Sequence, residues 1–347
     1  MASPNMSDAK IHLNPQVSLV IERLLFLYWL ITVPFYTMLV VFMIHAQIKK
    51  APNLTGSFYT LCITAGIVDI VTLLNNYFGG AFPGWGWMKS VYLTLGKPYV
   101  YFYIMTAWAT GTMQVLSTSI LATNRLWAIL FPQQVHLWRG RRLMLTVVIQ
   151  LLPGIVASLP ILSYEVSLKE SRNGGLIPLI TNHQTKAIYF TVAAGFLTVN
   201  SVYLILAYSY LFFLIRKRNQ IHQKTVSNSR IWQARKMDLW RKAGFRLFLM
   251  ASWTVAAEVL YNLYIYSKIF IFPVFHISSE VFYTFYFVLN DLNSGLRAYL
   301  LWIFGDHLRH YIYMKLRPGT FAIRSLSSRA TFPSISRRTT FLYTSRR

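Results

Sequence analysis

Charge is what this sequence has least of. Only 13% of its 347 residues are Asp, Glu, Lys or Arg, about half the share of a soluble domain. Acidic residues are the scarcest, ten against 34 basic ones. Cysteine occurs once, as Cys62, so no intrachain disulfide can brace the fold. The sequence holds no glycine-rich phosphate loop, no spaced His or Cys cluster and no nucleophile elbow. Those absences remove the common enzyme classes. They leave no catalytic residue, no cofactor and no metal site to expect.

The charge is also unevenly missing. No charged residue lies between Arg23 and Lys49, Lys97 and Arg125, Arg142 and Glu165, or Lys186 and Arg216. Each gap can hold the roughly 20 apolar residues that cross a bilayer. Three further apolar stretches carry isolated charges: 58–79 with Asp69, 246–266 with Glu258, and 281–304 with Asp291 and Arg297. A soluble domain of this size cannot bury seven helices that are apolar nearly all round. The expectation is an all-α membrane protein, a seven-transmembrane helix bundle over 24–304.

A net charge of +24 often means nucleic acid, but its distribution points elsewhere. Lys and Arg divide 24 to 8 between alternate loops, with Arg246 and Arg297 at span edges or inside. The positive-inside rule then puts the N-terminus outside and the C-terminus in the cytoplasm. Residues 1–23 read as a polar extracellular N-terminus without a cleavable signal peptide, so the first span is expected to be the signal anchor. Asn5-Met6-Ser7 is a glycosylation sequon on the outer side, whereas Asn53-Leu54-Thr55 falls inside and should stay silent. The segment 216–244 is basic, and its second half has a helical apolar rhythm. Asp306 to Arg317 mixes basic and aromatic residues, so 305–317 reads as an amphipathic juxtamembrane helix on an anionic inner leaflet. The tail 318–347, basic and rich in Ser and Thr, is expected to be disordered. It reads either as a kinase target or as a solvated segment held near acidic lipid.

Polar residues inside the spans mark where chemistry concentrates. One stripe of the third span carries Tyr99, Tyr103, Thr106, Thr110, Met113, Ser117, Ile120 and Asn124. The adjoining stripe is Ala107, Gly111, Gln114, Thr118, Leu121 and Arg125. So broad a face of small and polar residues belongs inside the bundle. Asp69 and Asp291 should each face the interior and find a partner. Asn290, Asn293, Arg297 and water are candidates for Asp291, while Asn75 lies too far outward to help Asp69. Glu258 reads as a ligand contact or an interior pair. A polar stripe through Tyr283, Tyr286, Asn290, Asn293 and Arg297 points to a network linking spans 2, 3 and 7, or to a purely structural one. Tyr99, Tyr103, Trp108, Tyr261, Tyr264 and Tyr286 offer an aromatic lining for the outer half, with Glu258 nearby.

The stretch Leu121 to Pro132, LATNRLWAILFP, is where a buried helix meets water. It resembles the third-helix foot of rhodopsin-like receptors, Asp-Arg-Tyr followed by x-Ala-Ile-x-x-Pro. Here Asn124-Arg125-Leu126 precedes Ala128, Ile129 and Pro132 at that spacing. Asp69 is similar to the aspartate of the second helix, Trp253 to the switch tryptophan of the sixth, and Asn293 to Tyr299 to the polar-to-tyrosine motif of the seventh. The chain departs from that pattern at Asn124, an amide in place of the acid, and at Ala298, where relatives place proline. It also lacks the sixth-helix proline and the cysteine pair. NRLWAILFP, DIVTLLNNYF and NDLNSGLRAYLLWIFG most resemble the nematode serpentine chemosensory receptors of class V, in the class gamma superfamily. The resemblance covers about 24–310. It implies a plasma-membrane G protein-coupled receptor, found in sensory cilia of neurons, that binds a small molecule and signals to a heterotrimeric G protein. By resemblance Arg125 with Asn124 is the inner switch. Asp69, Trp253, Asn290, Asp291, Asn293 and Tyr299 transmit to it. The alternatives are a transporter or channel subunit, which needs a charged path that these scattered residues do not make, and a receptor-like protein that does not couple.

Overall fold

The computed structural model describes residues 14–51, 54–131, 133–134, 138, 140–170, 174–225, 249–250, 252–267 and 279–316. Asn5, the silent sequon's Asn53, Pro132, the apolar rhythm late in 216–244 and the tail 318–347 lie outside them.

Among the described residues, seven long helices follow one another. Helix α1 spans Pro15–Ile48 and so begins upstream of residue 24. Asn14 explains the early start. Its side chain accepts from Gln16 N at 3.0 Å, and Pro15 stands in the first turn, where no N–H is needed. Helix α2 spans Ser57–Asn76 and runs on through a wide π turn, Tyr77–Ala81, and a single turn, Phe82–Gly84. Gly79 makes that wide turn a packing site: the ring of Tyr103 lies where a side chain at Gly79 would stand. Helix α3, Lys89–Leu130, is broken at Gly96, whose φ of 54° is left-handed, two residues before Pro98. Helix α4 spans Arg141–Ser158 and closes in a 3-10 turn, Leu159–Ser163.

The loop after α4 departs from the all-helical reading. Val166–Glu170 (β1) and Leu176–Ile180 (β2) form an antiparallel hairpin, with Val166 opposite Ile180 and Glu170 opposite Leu176. The signal was present as two β-prone runs around Asn173-Gly174-Gly175. α3 holds the hairpin: Tyr101 Oη donates to Tyr164 O at 2.8 Å, Lys89 pairs with Glu170, and Lys97 lies 3.8 Å from Glu165.

Helix α5 spans His183–Thr225, with Asn182 capping Gln184 N at 2.9 Å. Helix α6 covers 249–250 and 252–267. Helix α7, Ser279–Phe304, is followed directly by α8, Asp306–Leu316. α8 buries Leu308, Tyr311 and Ile312, and His45 Nδ1 of α1 lies 2.7 Å from the Tyr311 hydroxyl.

Helix α3 packs against α2, α4, α5 and both strands, which is why its polar face is inside. Its buried residues include Thr110, Gln114, Ser117, Thr118 and Asn124. Among the described residues, four helical stretches are long and apolar enough to cross a membrane: Gln16–Ile48, Ser57–Gly84, Arg141–Ser163 and Ala187–Leu214. Their outward surfaces are apolar. On α4, Leu145, Ile149, Leu152 and Val156 stand exposed, a surface that suits hydrocarbon and not water. Apolar cores lie at both ends. One joins α1, α2, α7 and α8 around Tyr36, Leu39, Leu61, Leu301 and Leu308. The other seats the hairpin on α3 through Val100, Ile104, Val166 and Leu176.

Candidate functional site

Between those cores, four helices send polar side chains to one point. Asp69 of α2 is 1% exposed. Its Oδ2 accepts from Tyr36 Oη of α1 at 2.7 Å and from Arg297 Nη1 of α7 at 2.7 Å. Its Oδ1 accepts from Gln114 Nε2 of α3 at 2.9 Å, and the same amide lies 2.9 Å from Ser294 Oγ. Helical spacing makes this possible. Gln114 and Thr118 stand four apart on α3, and Ser294 and Arg297 three apart on α7, so each pair shares a face. Removing two charges from water is expensive, and only good geometry with further hydrogen bonds offsets it. The geometry is good, and Arg297 Nη2 also donates to Thr118 Oγ1 at 3.1 Å, while its Nε has no partner among the described residues.

This corrects the expected pairing of α7. Arg297 was a candidate partner for Asp291, but it serves Asp69. Six residues along a helix amount to a net turn of about 240°, so the two side chains face different neighbours. Asp291 instead accepts from Tyr77 Oη at 2.8 Å and Asn76 Nδ2 at 3.2 Å. Tyr28 Oη donates to its backbone carbonyl at 3.4 Å. Asn290 is buried and Asn293 half-buried, and neither is among the hydrogen bonds described for Asp291. Tyr299 is at the α1 interface, its hydroxyl 2.8 Å from Thr32 Oγ1 and its ring 5.4 Å from Phe35.

The polar chain continues across the bundle. Thr118, whose hydroxyl donates to the Gln114 carbonyl at 3.0 Å, stands beside the Glu258 carboxylate of α6. Asn200 Nδ2 of α5 donates to Glu258 Oε1 at 2.6 Å, and Ser119 Oγ donates to Asn200 Oδ1. Glu258, 3% exposed, is therefore an interior partner. From α4, Gln150 Nε2 donates to Ser117 Oγ at 2.7 Å. Trp253 does not join: it stands 59% exposed on the outside of α6.

At the foot of α3, Asn124 Nδ2 donates to Ser57 Oγ at 3.2 Å. Arg125 lies over the Phe58 ring, 4.6 Å from its centroid. Its Nη2 is 3.7 Å from Met250 Sδ of α6, and Tyr208 of α5 hydrogen-bonds it. The guanidinium thus touches α2, α5 and α6, where an acid beside it would have bound it locally.

The aromatic residues expected to line the outer half fall into two packed groups. Tyr99 donates to Gly79 O and lies 4.8 Å from Tyr92, and Trp108 is 4.9 Å from Tyr189; Tyr99, Tyr103 and Trp108 belong to the core under the hairpin. Tyr261, Tyr264 and Tyr286 pack with Val115, Ala194 and Ile265. A cleft of about 100 Å³ opens beside Ile104, Trp108, Leu179 and Tyr189. Among the described residues, no group of His, Cys, Asp and Glu could hold a metal ion.

Several members of the network were not singled out from the sequence. Gln114 and Thr118 lay on the recognised polar face of α3. Ser294 fell outside the stripe read on α7. Tyr36 and Asn200 sit in uncharged runs where only their own polarity marked them.

A family model described as serpentine type 7TM GPCR chemoreceptor Srv matches residues 25–318. No curated protein matches the chain. The match runs from within α1 through the other described helices and takes in the polar network, and with it the chain belongs to the Srv family of serpentine chemoreceptors, a receptor and not an enzyme family, as a multi-pass membrane protein.

Proposed function

We propose that this chain is a plasma-membrane chemosensory receptor that binds a small molecule in the outer half of its bundle and signals to a heterotrimeric G protein. Its seven helices span the membrane over 24–304, with 1–23 outside and 305–347 in the cytoplasm. Residues 305–317 lie along the inner leaflet. In a nematode, the family points to sensory cilia of neurons. The basic inner loops suit an acidic partner face, and nucleic acid is not a partner.

One observation carries this reading: the buried polar cluster in which Tyr36, Asp69, Arg297 and Thr118 are hydrogen-bonded in series, with the Glu258–Asn200 pair beside Thr118. It touches α1, α2, α3, α5, α6 and α7 below the outer aromatics and above Arg125. Packed cores and polar networks switch between discrete arrangements and do not deform smoothly. A ligand that holds α6 or α7 differently therefore favours one arrangement by its differential contacts. Arg125, held by Phe58, Met250 and Tyr208, is where that change reaches the cytoplasmic side.

Arg125→Ala tests it. In cells screened with volatile and soluble metabolites, the variant should reach the surface and lose the ligand-evoked second-messenger response. An unchanged response would remove Arg125 from signalling. Solute flux across proteoliposomes would favour transport.

A further inference from the structure

A second cleft lies at the other end of the molecule, where α3 leaves the core and α4 begins. It measures about 410 Å³ and is lined by Trp127, Trp138, Arg142, Leu145 and Thr146. That is within the range of sites that hold small ligands. Its chemistry is one-sided: a guanidinium, a hydroxyl and two indole rings, with no carboxylate among the lining residues. Arg142 is exposed and appears in none of the ion pairs among the described residues. The Thr146 hydroxyl donates to the Arg142 carbonyl at 2.8 Å, which leaves its lone pairs to accept. Above the cation, Leu145, Ile149, Leu152 and Val156 follow at steps of three and four. They make one exposed apolar track up α4 from the cleft.

A cation flanked by Trp rings, opening onto an apolar track, matches a molecule with an anionic head and an alkyl chain. We propose that this cleft binds one acidic phospholipid of the inner leaflet, its phosphate on Arg142 and one acyl chain along Leu145, Ile149 and Leu152. Trp127 and Trp138 take the glycerol level, where amphipathic rings belong. The lipid joins the foot of α3, which carries Arg125, to the start of α4. The site rests on the reading that the Arg141 end of α4 is cytoplasmic.

Native mass spectrometry of the full chain, released from mixed phosphatidylserine and phosphatidylcholine, tests the site. The wild type should retain one phosphatidylserine. Arg142→Gln should lower its occupancy about fivefold, the worth of one basic residue at a membrane surface, and Arg142→Lys should restore much of it. Arg141→Gln and Arg309→Gln should leave it unchanged, and excess inorganic phosphate should not displace it. Equal losses in all the glutamine variants mean general charge attraction and overturn the site, as does full retention in Arg142→Gln. Displacement by phosphate would make the cleft an anion site and not a lipid site. The topology is separable. Cys62 is buried, so Arg141→Cys labelled by an impermeant maleimide on intact cells would overturn the cytoplasmic placement while leaving binding readable.

Discussion

Arg297 and Asp69, 228 residues apart in sequence, meet at 2.7 Å with 5% and 1% of their side chains exposed. The pair fixes α7 against α2. Tyr36 and Gln114, on the same carboxylate, bring in α1 and α3. Breaking such a pair from one side leaves an uncompensated buried charge, which typically costs about 3–5 kcal/mol. Asp69→Asn and Arg297→Gln should each lower the thermal unfolding midpoint of purified receptor sharply. The double variant should recover most of the loss, because no lone charge remains. Additive losses would show that the two side chains act separately.

Arg125 and Phe58 make a different kind of contact. A cation over a ring face contributes about 0.5–2 kcal/mol. If this contact holds the resting state, Phe58→Leu should raise ligand-free second-messenger output by about 2- to 30-fold, and Phe58→Tyr should not. Basal output unchanged in Phe58→Leu would show that the latch lies elsewhere. Asn124 gives the reason to look there. An amide cannot pair with Arg125 by charge, and one of its N–H groups donates to Ser57.

Much of this architecture was legible in one sequence because a membrane constrains so strongly. Uncharged runs located the helices, and the polar face of α3 placed that helix inside. Pairing within the core was less legible. Asp69, Asp291 and Arg297 could be named as interior groups, but which acid received the cation depends on the rotation of α7 and its contacts with α2. The hairpin escaped because its two strands are five residues each and share their loop with charges. Trp253 shows the opposite failure: a residue matched by position in its helix points outward, since rotation about an axis is set by packing and not by order in the chain.

The outer side is open to a simple check. If 1–23 is extracellular, Asn5 becomes available for glycosylation, and Asn5→Gln should abolish a glycosidase-sensitive band shift. Asn53→Gln should have no effect. A shift that persists in Asn5→Gln but disappears in Asn53→Gln would invert the topology and move Arg125 to the wrong face.

Gly79 offers the sharpest test of the outer half. The ring of Tyr103 occupies the space a Cβ would need there, and Gly80 is closed in the same way by Tyr103 and Phe287. Gly79→Ala therefore cannot be absorbed by a flexible chain end. Either the π turn shifts or α3 moves away from α2. Overpacking of this kind typically costs about 1–3 kcal/mol, read as a lower unfolding midpoint in nanodiscs. Tyr103→Leu alone loses ring packing. In the Gly79→Ala background, however, it makes room for the methyl group, so the two losses should be less than additive. Ligand response adds a second readout. If the π turn positions the outer aromatics for the ligand, Gly79→Ala should raise the concentration needed for half-maximal response. Full additivity of the stability losses, with an unshifted dose response, would show that Gly79 and Tyr103 do not meet as described.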